Sequence, residues 1–353
     1  MKKRGNTQKR LLLIFAIILF STLLFAQKQV HKIAFGSCSS QDRPLPIFDL
    51  VVKHDPDLFI FLGDNIYGDT QNMDTLKAKY ARLASKSSFE NLNSHVEIIA
   101  TWDDHDFGWN DIGRHYPFKK ESKEIFLQFF NEAQNSERWN HEGIYTSYNY
   151  KSGKKTVQII LLDNRNFRDN LKPYQGEFSK DKRYFYELDY APYQHSDSTF
   201  LGDIQWNWLE AELMKPADIR IIGSGSQFGI EYNGYESWAN FPNEQKKFLN
   251  LIKKTRAEGL FFISGDVHYA EISKLTEKDL YPIYDVTSSG LSSTWHFATP
   301  NNNRIEGPVM ENHFAMITIG KKNKNPKIKF EIWDILDNQR VEYTIKLQEI
   351  KFK

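Results

Sequence analysis

Apolar strands alternating with amphipathic segments, followed by a tail of antiparallel strands, predict an α/β fold: one domain of mixed sheets with helices outside. Three observations carry this. The first is a repeated unit in which a short apolar run stops at a small or polar residue and a chemically active side chain follows. Ile33–Phe35 leads to Gly36-Ser37-Cys38, and Leu58–Leu62 breaks at Gly63 and delivers Asp64 and Tyr67. Val96–Thr101 leads to Trp102-Asp103-Asp104-His105-Asp106, and Leu260–Ile263 to Ser264-Gly265-Asp266-Val267-His268. The second is helical spacing between these runs. Ile47–Lys53 and Thr75–Ala84 read as helices, as does Glu121–Ala133, where Ile125, Phe126, Phe129 and Phe130 share one face. Lys155–Leu162 is a strand ending at Asp163. Residues 169–200 lack periodicity and read as a long surface excursion. Asp203–Met214 is expected as a helix with Ile204, Trp208 and Leu209 toward the core and Trp206 in packing; Ile219–Ile222 is a strand and Glu244–Ala257 a helix. The third observation is the tail. Ala315–Ile319, Lys327–Ile335 and Val341–Leu347 alternate and are rich in β-branched and aromatic residues, and the last two read as a hairpin.

The chain has 353 residues, enough for one large domain or two ordinary ones, and no long stretch is depleted in apolar residues. Its amino terminus differs from the rest. Lys2, Lys3, Arg4, Lys9 and Arg10 precede an apolar run from Leu11 to Phe25 that ends at Ala26, the pattern of a secretory signal peptide. Residues 1–26 are therefore expected to be removed and 27–353 to form the mature domain, exported to the periplasm, the exterior or the cell surface. The run is short for a membrane span of about 20 residues, so retention as an anchor is the weaker reading. No cysteine directly follows it, which argues against a lipid-anchored form, and no Arg-Arg pair precedes it, which favours general secretion over twin-arginine export. Cleavage removes those five basic side chains and no acidic one, which moves the formal charge from +1 to −4. A mildly acidic chain lacks the basic bias of a general nucleic-acid binder, so phosphate recognition should come from a local site. Cys38 is the single cysteine, so no internal disulfide forms; either the thiol is buried and inert or a metal holds its sulfur.

Four strand ends bearing Cys, Asp, Tyr and His point to one metal site at a common sheet edge. Asp64 and Tyr67 lie three apart in a loop, so both can turn to one ion; carboxylate, phenolate and thiolate together suit ferric iron. Asp266 and His268 are two apart and in extended chain point the same way. Asp64, Asp266 and either Asp104 or Asn110 would suit a hard cation such as calcium, with Asp64 as the bridge. Two such cations clamp a phosphoryl group and generate hydroxide for in-line attack, leaving His105 to contact phosphoryl oxygens or protonate the leaving alkoxide. Asp103 and Asp106 are expected to orient their neighbours. Arg165 and Arg168 follow a strand end and could clamp phosphate through bidentate hydrogen bonds, or pair with Asp163 or Asp169. His115, His296 and His313 could line the pocket or be structural.

Taken together, Phe35–Cys38, Gly63–Asp69, Thr101–Asp106, Leu161–Arg165, Leu201–Trp206 and Ser264–His268, in this order and spacing, resemble the alkaline phosphatase D (PhoD-like) family of the metallophosphoesterase superfamily, from about Lys32 to the end of the chain. The resemblance implies a four-layer α/β/β/α sandwich, two mixed sheets flanked by helices, and phosphoric ester hydrolysis. It also implies iron held by Cys38, Asp64, Tyr67 and His268, and calcium around Asp64, Asn110 and Asp266, with a phosphate ester as partner and no stable membrane span after cleavage. The chain departs from better-known members in three respects: no β-domain is expected before the catalytic one, the twin-arginine pair is missing, and Ser226-Gln227 stand where the wider superfamily places a histidine ligand. Two other readings stay open from residues alone: a purple acid phosphatase-like monoesterase, which would want more histidines, and an exported binding protein with a decayed site.

Overall fold

Strands such as Leu58-Phe59-Ile60-Phe61-Leu62 are apolar on both faces, and a sheet made of them has to be covered on both sides. The computed structural model, which describes residues 28–176, 189–194, 198–321 and 324–353, meets that demand with two sheets and two sets of helices. In chain order come β1 (Lys32–Gly36), α1 (Ile47–Lys53), β2 (Leu58–Leu62), α2 (Met73–Ala84), α3 (Ser87–His95), β3 (Glu97–Thr101), α4 (Asp104–Phe107) and α5 (Lys119–Phe129). There follow β4 (Thr146–Ser152), β5 (Lys155–Leu161), the short pair β6 (Lys172–Pro173) and β7 (Tyr190–Ala191), α6 (Gly202–Met214), β8 (Ile219–Ser224), α7 (Pro242–Thr255) and β9 (Leu260–Ser264). The last strands are β10 (Ala270–Leu275), β11 (Ile283–Ser288), β12 (Arg304–Val309), β13 (His313–Ile319), β14 (Lys327–Asp334) and β15 (Gln339–Lys346).

The first sheet has the order β15-β14-β13-β1-β2-β3 and the second β12-β10-β11-β9-β8-β5-β4. β1, β2 and β3 run parallel, as do β5, β8, β9 and β11, while β13, β14 and β15 are antiparallel. Alternate side chains divide between two cores. Ile33, Phe35, Leu58, Ile60 and Leu62 pack into the layer between the sheets, whereas Ala34, Phe59 and Phe61 pack with Phe48, Leu76 and Leu83 of the helices outside. The second sheet divides the same way. Phe261 meets Phe330 of the first sheet with ring centroids 5.1 Å apart, and its neighbour Phe262 meets Phe248 of α7 at 5.0 Å. The result is the four-layer sandwich, and it puts the carboxyl ends of the parallel strands of both sheets along one edge.

Most expected elements form with boundaries shifted by a few residues, and the tail hairpin pairs Lys327–Trp333 with Gln339–Lys346. The buried face of α6 is a correction. Ile204 is 54 % exposed and Trp208 only partly buried, while Gln205, Trp206, Leu209 and Leu213 face inward. Polar contacts turn the helix: Gln205 accepts from the Asp163 N–H at 2.8 Å and donates to the Asp163 carbonyl at 2.8 Å, and Trp206 Nε1 donates to Glu244 at 2.7 Å. The excursion is anchored by buried Leu171 and Phe200 and by the β6–β7 pair. The expected signal segment 1–26 and the excursion residues 177–188 and 195–197 lie outside the described residues. Among the described residues no helix is long and apolar enough to cross a membrane.

His313, at the start of β13, joins the two sheets. Its Nε2 accepts the main-chain N–H of Ser289, just beyond β11, at 3.1 Å, and its Nδ1 donates to the Glu311 carbonyl at 2.7 Å. Burial lowers the His313 pKa to about 4, against the opposing contact and charge of Glu311. A folded value below the unfolded one means that the unfolded chain binds the extra proton, so stability is fully present above about pH 6.5 and is lost as pH falls toward 4. Urea unfolding of metal-free protein is expected to show, between pH 7.5 and pH 5, a loss about 2 kcal/mol larger than in His313→Gln. Equal losses in the two proteins would remove His313 from the acid limb.

Candidate metal centre

The loops leaving these strands are sharply bent. Cys38, Asp64, Asp266 and His268 have φ of 61°, 48°, 77° and 57°, left-handed values that cost non-glycine residues strain and recur where surrounding structure holds a site in place. Here the holding groups are visible. The Cys38 carbonyl accepts from the N–H groups of Ser292 and Ser293 at 3.1 and 3.2 Å, and the Ser39 N–H donates to the Asp64 carbonyl at 2.9 Å. Asp106 accepts from the N–H groups of Asn65, Ile66 and Asp103 at 2.8, 3.3 and 3.0 Å, which fastens the loop after β2 to the loop after β3. Gly63 permits that approach, because a Cβ there would stand 2.4 Å from the Cβ of Asp103.

The loops bring several of the expected ligands together, while Asn110 is exposed. Cys38 Sγ is 3.3 Å from Asp64 Oδ2 and 3.7 Å from the Asp266 carbonyl. Ligand atoms of Asp64, Asp104 and His105 lie within 4.8 Å of one another, as do those of Asp103, Asp104 and Asp266; Asp104 is common to both groups. His268 Nδ1 lies 3.0 Å from the Ser293 carbonyl, which can only accept, so Nδ1 carries the proton and Nε2 keeps its lone pair. His105 pairs through Nδ1 with Asp69 at 2.6 Å, its ring lies 4.4 Å from that of Tyr67, and its Nε2 is 4.0 Å from Asp104.

The electrostatics of this cluster ask for cations. Asp64 Oδ1, Asp103 Oδ2 and Asp104 Oδ1 are buried and have no hydrogen-bond partner in the protein. Burial first, then the charge of Asp104, pushes the Asp64 carboxyl well above the usual range, and burial with Glu236, Asp103 and Asp104 does the same to Asp266. Asp103 rises to about 7 through burial, against the pull of Arg165. Asp104 is the exception: burial would raise it, but Arg165, His105 and the Asp111 N–H hold it at about 2. His105 is driven to about 10, because Asp64, Asp69 and Asp104 outweigh its burial. Burial also raises the Cys38 thiol and the Tyr67 phenol, with neighbouring negative charge adding to the shift. Thiol, phenol, imidazole lone pair and unpartnered carboxylate oxygens form a donor set that fits bound metal ions.

The two arginines are placed otherwise than expected. Arg165 is fully buried, and its guanidinium reaches Asp103 at 2.5 Å, Glu236 at 2.8 Å and Asp104 at 3.5 Å. Arg168 is equally buried, donates to the carbonyls of Asp111 and Ile112 at 2.6 and 3.0 Å, and lies 3.4 Å from Glu236. Both are drawn in beside the carboxylates by charge and buried, with Arg165 Nη2 and Arg168 Nε and Nη1 left without a hydrogen-bond partner, and neither guanidinium pairs with Asp163 or Asp169. The Asn110 amide donates to Asp111 at 2.7 Å. Of the pair expected in place of a histidine ligand, Gln227 donates to Glu271 at 3.1 Å and Thr287 at 2.9 Å, and Ser226 donates to Glu236 at 3.3 Å. Glu236, Asp69, Asp111 and Ser289 also belong to the site and carried no assignment in the sequence. Glu236 follows no strand end, and Ser289 sits in a turn of ordinary composition.

This architecture has relatives. Residues 33–339 match the family model described as PhoD-like phosphatase. Over 305 residues the chain is 22 % identical to alkaline phosphatase D of Bacillus subtilis (strain 168), with 74 % of this chain and 50 % of that protein aligned, so it spans about half the length of the curated relative it matches. A structure of PhoD superposes with a TM-score of 0.66 at 15 % identity, covering 91 % of this chain and 72 % of the other. A dimetal phosphatase from Danio rerio gives 0.56 at 14 % identity, covering 91 % and 100 %. At these identities the structural likeness speaks for the fold, and the family model, which spans most of the chain, speaks for descent: the chain belongs to the PhoD-like phosphatase family.

Proposed function

We propose that this chain is an exported, metal-dependent phosphoric ester hydrolase acting on a phosphomonoester or phosphodiester. The observation that carries the reading is the set of buried, unpartnered carboxylate oxygens at the strand ends beside Cys38, Tyr67 and the Nε2 of His268. Export is supported by the pattern of residues 1–26 alone. Ferric iron would be held by Cys38, Asp64, Tyr67 and His268, where sulfur, phenolate and imidazole gather. Calcium would be held on the oxygen-rich side by Asp64, Asp104 and Asp266 with Asn110. Bound there, the two ions supply Lewis acidity at the phosphoryl oxygens and an activated nucleophile.

The rest is done by the chain's own groups. Asp69 fixes the His105 ring through Nδ1, which leaves Nε2 as the proton donor for the departing alkoxide. Without bound ions, Asp64, Asp69 and Asp104 raise the pKa of that imidazole against its burial. Arg165 bears on Asp104 and Asp103 as a buried counter-charge and sets their orientation.

Stripping metals with a chelator is expected to abolish hydrolysis of aryl phosphate monoesters and diesters at alkaline pH, and iron with calcium to restore it. Absence of turnover on both esters with metals verified as bound would overturn the hydrolase reading. Asp64→Asn is expected to lose turnover together with bound metal; normal metal content and full activity would place the site elsewhere. His105→Gln should lower turnover by about 10²–10⁴-fold on alkyl esters, whose alkoxides need a proton, and far less on 4-nitrophenyl esters. Equal losses on both would deny His105 the role of general acid.

A further inference from the structure

His313 touches none of the residues assigned to metal, yet three hydrogen bonds through Ser289 connect it to two of them. Its Nε2 accepts the Ser289 N–H at 3.1 Å. The hydroxyl of the same Ser289 lies 3.1 Å from Cys38 Sγ and accepts the main-chain N–H of His268 at 3.0 Å. A carbonyl only accepts and a main-chain N–H only donates, so Glu311 and Ser289 together dictate the ring's tautomer and occupy both of its nitrogens. The ring is fully buried and packs on Gly290 so closely that a Cβ there would stand 2.4 Å from His313 Cε1. The Gly290 carbonyl is gripped in turn by the His313 N–H at 3.0 Å and by the Asn312 amide at 3.1 Å. With its oxygen accepting from His268, the Ser289 hydroxyl proton is left for the Cys38 sulfur, the arrangement a ligating thiolate requires.

We propose that His313 is a positioning residue of the metal centre: from the first sheet it holds Ser289 of the second, and Ser289 sets the Cys38 sulfur and the His268 backbone so that both side chains face one ion. The inference rests on Cys38 and His268 being metal ligands, and the test separates the two claims. Cobalt(II) alone is titrated into metal-free protein, and its affinity and the thiolate-to-cobalt charge-transfer band are recorded. His313→Leu is expected to bind cobalt about 10–100-fold more weakly with a shifted or weakened band. His313→Gln should recover most of both, because an amide can accept from Ser289 and donate to Glu311. Cys38→Ser should abolish the band.

A folded His313→Leu protein with wild-type affinity and band would overturn the positioning role. An unchanged band in Cys38→Ser would instead overturn the ligand assignment beneath it. Should His313→Leu fail to fold, Ser289→Ala takes its place, since it keeps the imidazole contact and removes only the hydroxyl. A weakened band supports the proposal and an unchanged one overturns it.

Discussion

The structure depends on the burial of several carboxylates in one place. Asp64, Asp103, Asp104 and Asp266 converge at the strand ends with Asp111 and Glu236 beside them, all but Asp111 and Asp266 almost fully buried. Removing such groups from water is costly, and their mutual repulsion raises the cost further. The fold answers in part. Arg165 and Arg168 are drawn in beneath, and Asp111, raised to about 8 by burial and Glu236, is bonded by the Tyr190 hydroxyl. The compensation is uneven: it leaves Asp104 ionised while Asp64 and Asp266 are pushed toward protonation. Cations between those carboxylates would relieve both the repulsion and the unpartnered oxygens.

A sandwich of two sheets is well suited to hold such a cluster. Neither sheet alone presents the whole site: Cys38, Asp64, Tyr67, Asp104 and His105 leave the first, whereas Arg165, Asp266 and His268 leave the second. Apolar strands such as Leu58–Leu62 and Leu260–Ser264 are buried along their length, at about 1.5–3 kcal/mol for each large side chain. That burial supplies the rigidity that keeps four non-glycine residues in left-handed conformations at the rim. Cross-links between the loops, Asp106 on one side and Ser289 with His313 on the other, carry the rigidity to the atoms that matter.

How much of this could be read in the sequence depends on where polar residues point. Apolar runs that stop at Gly36, Gly63 and Ser264-Gly265 located β1, β2 and β9, and with them Cys38, Asp64 and Asp266, because such runs have few alternatives to a covered strand; β8 was read through its interruption by Arg220. β10 was not legible: Glu271 and Ser273 suggest a solvated face, yet both are buried, with Arg304 paired to Glu271 and Asn301 bonding Glu271 and Ser273. α3, Ser-Ser-Phe-Glu-Asn-Leu-Asn-Ser-His, buries only Phe89 and Leu92 among its apolar residues and offers little periodicity. The arginines were ambiguous for a similar reason. Residue type and a strand end are compatible with a clamp over the pocket or a counter-charge beneath it, and only the position of Glu236, far along the chain, decides between them.

The absence of a histidine after β8 has its own consequence. Where an imidazole would bring a nitrogen ligand, Gln227 turns its amide toward Glu271 and Thr287. The group of Asp103, Asp104 and Asp266 offers carboxylate oxygens alone, the group of Asp64, Asp104 and His105 adds an imidazole, and the Cys38 sulfur lies against Asp64. Ligand softness is divided across the site, and oxygen-only surroundings favour a hard, weakly polarising ion where thiolate and imidazole favour a transition metal. Gln227 itself is held by partners in the polar core of the second sheet.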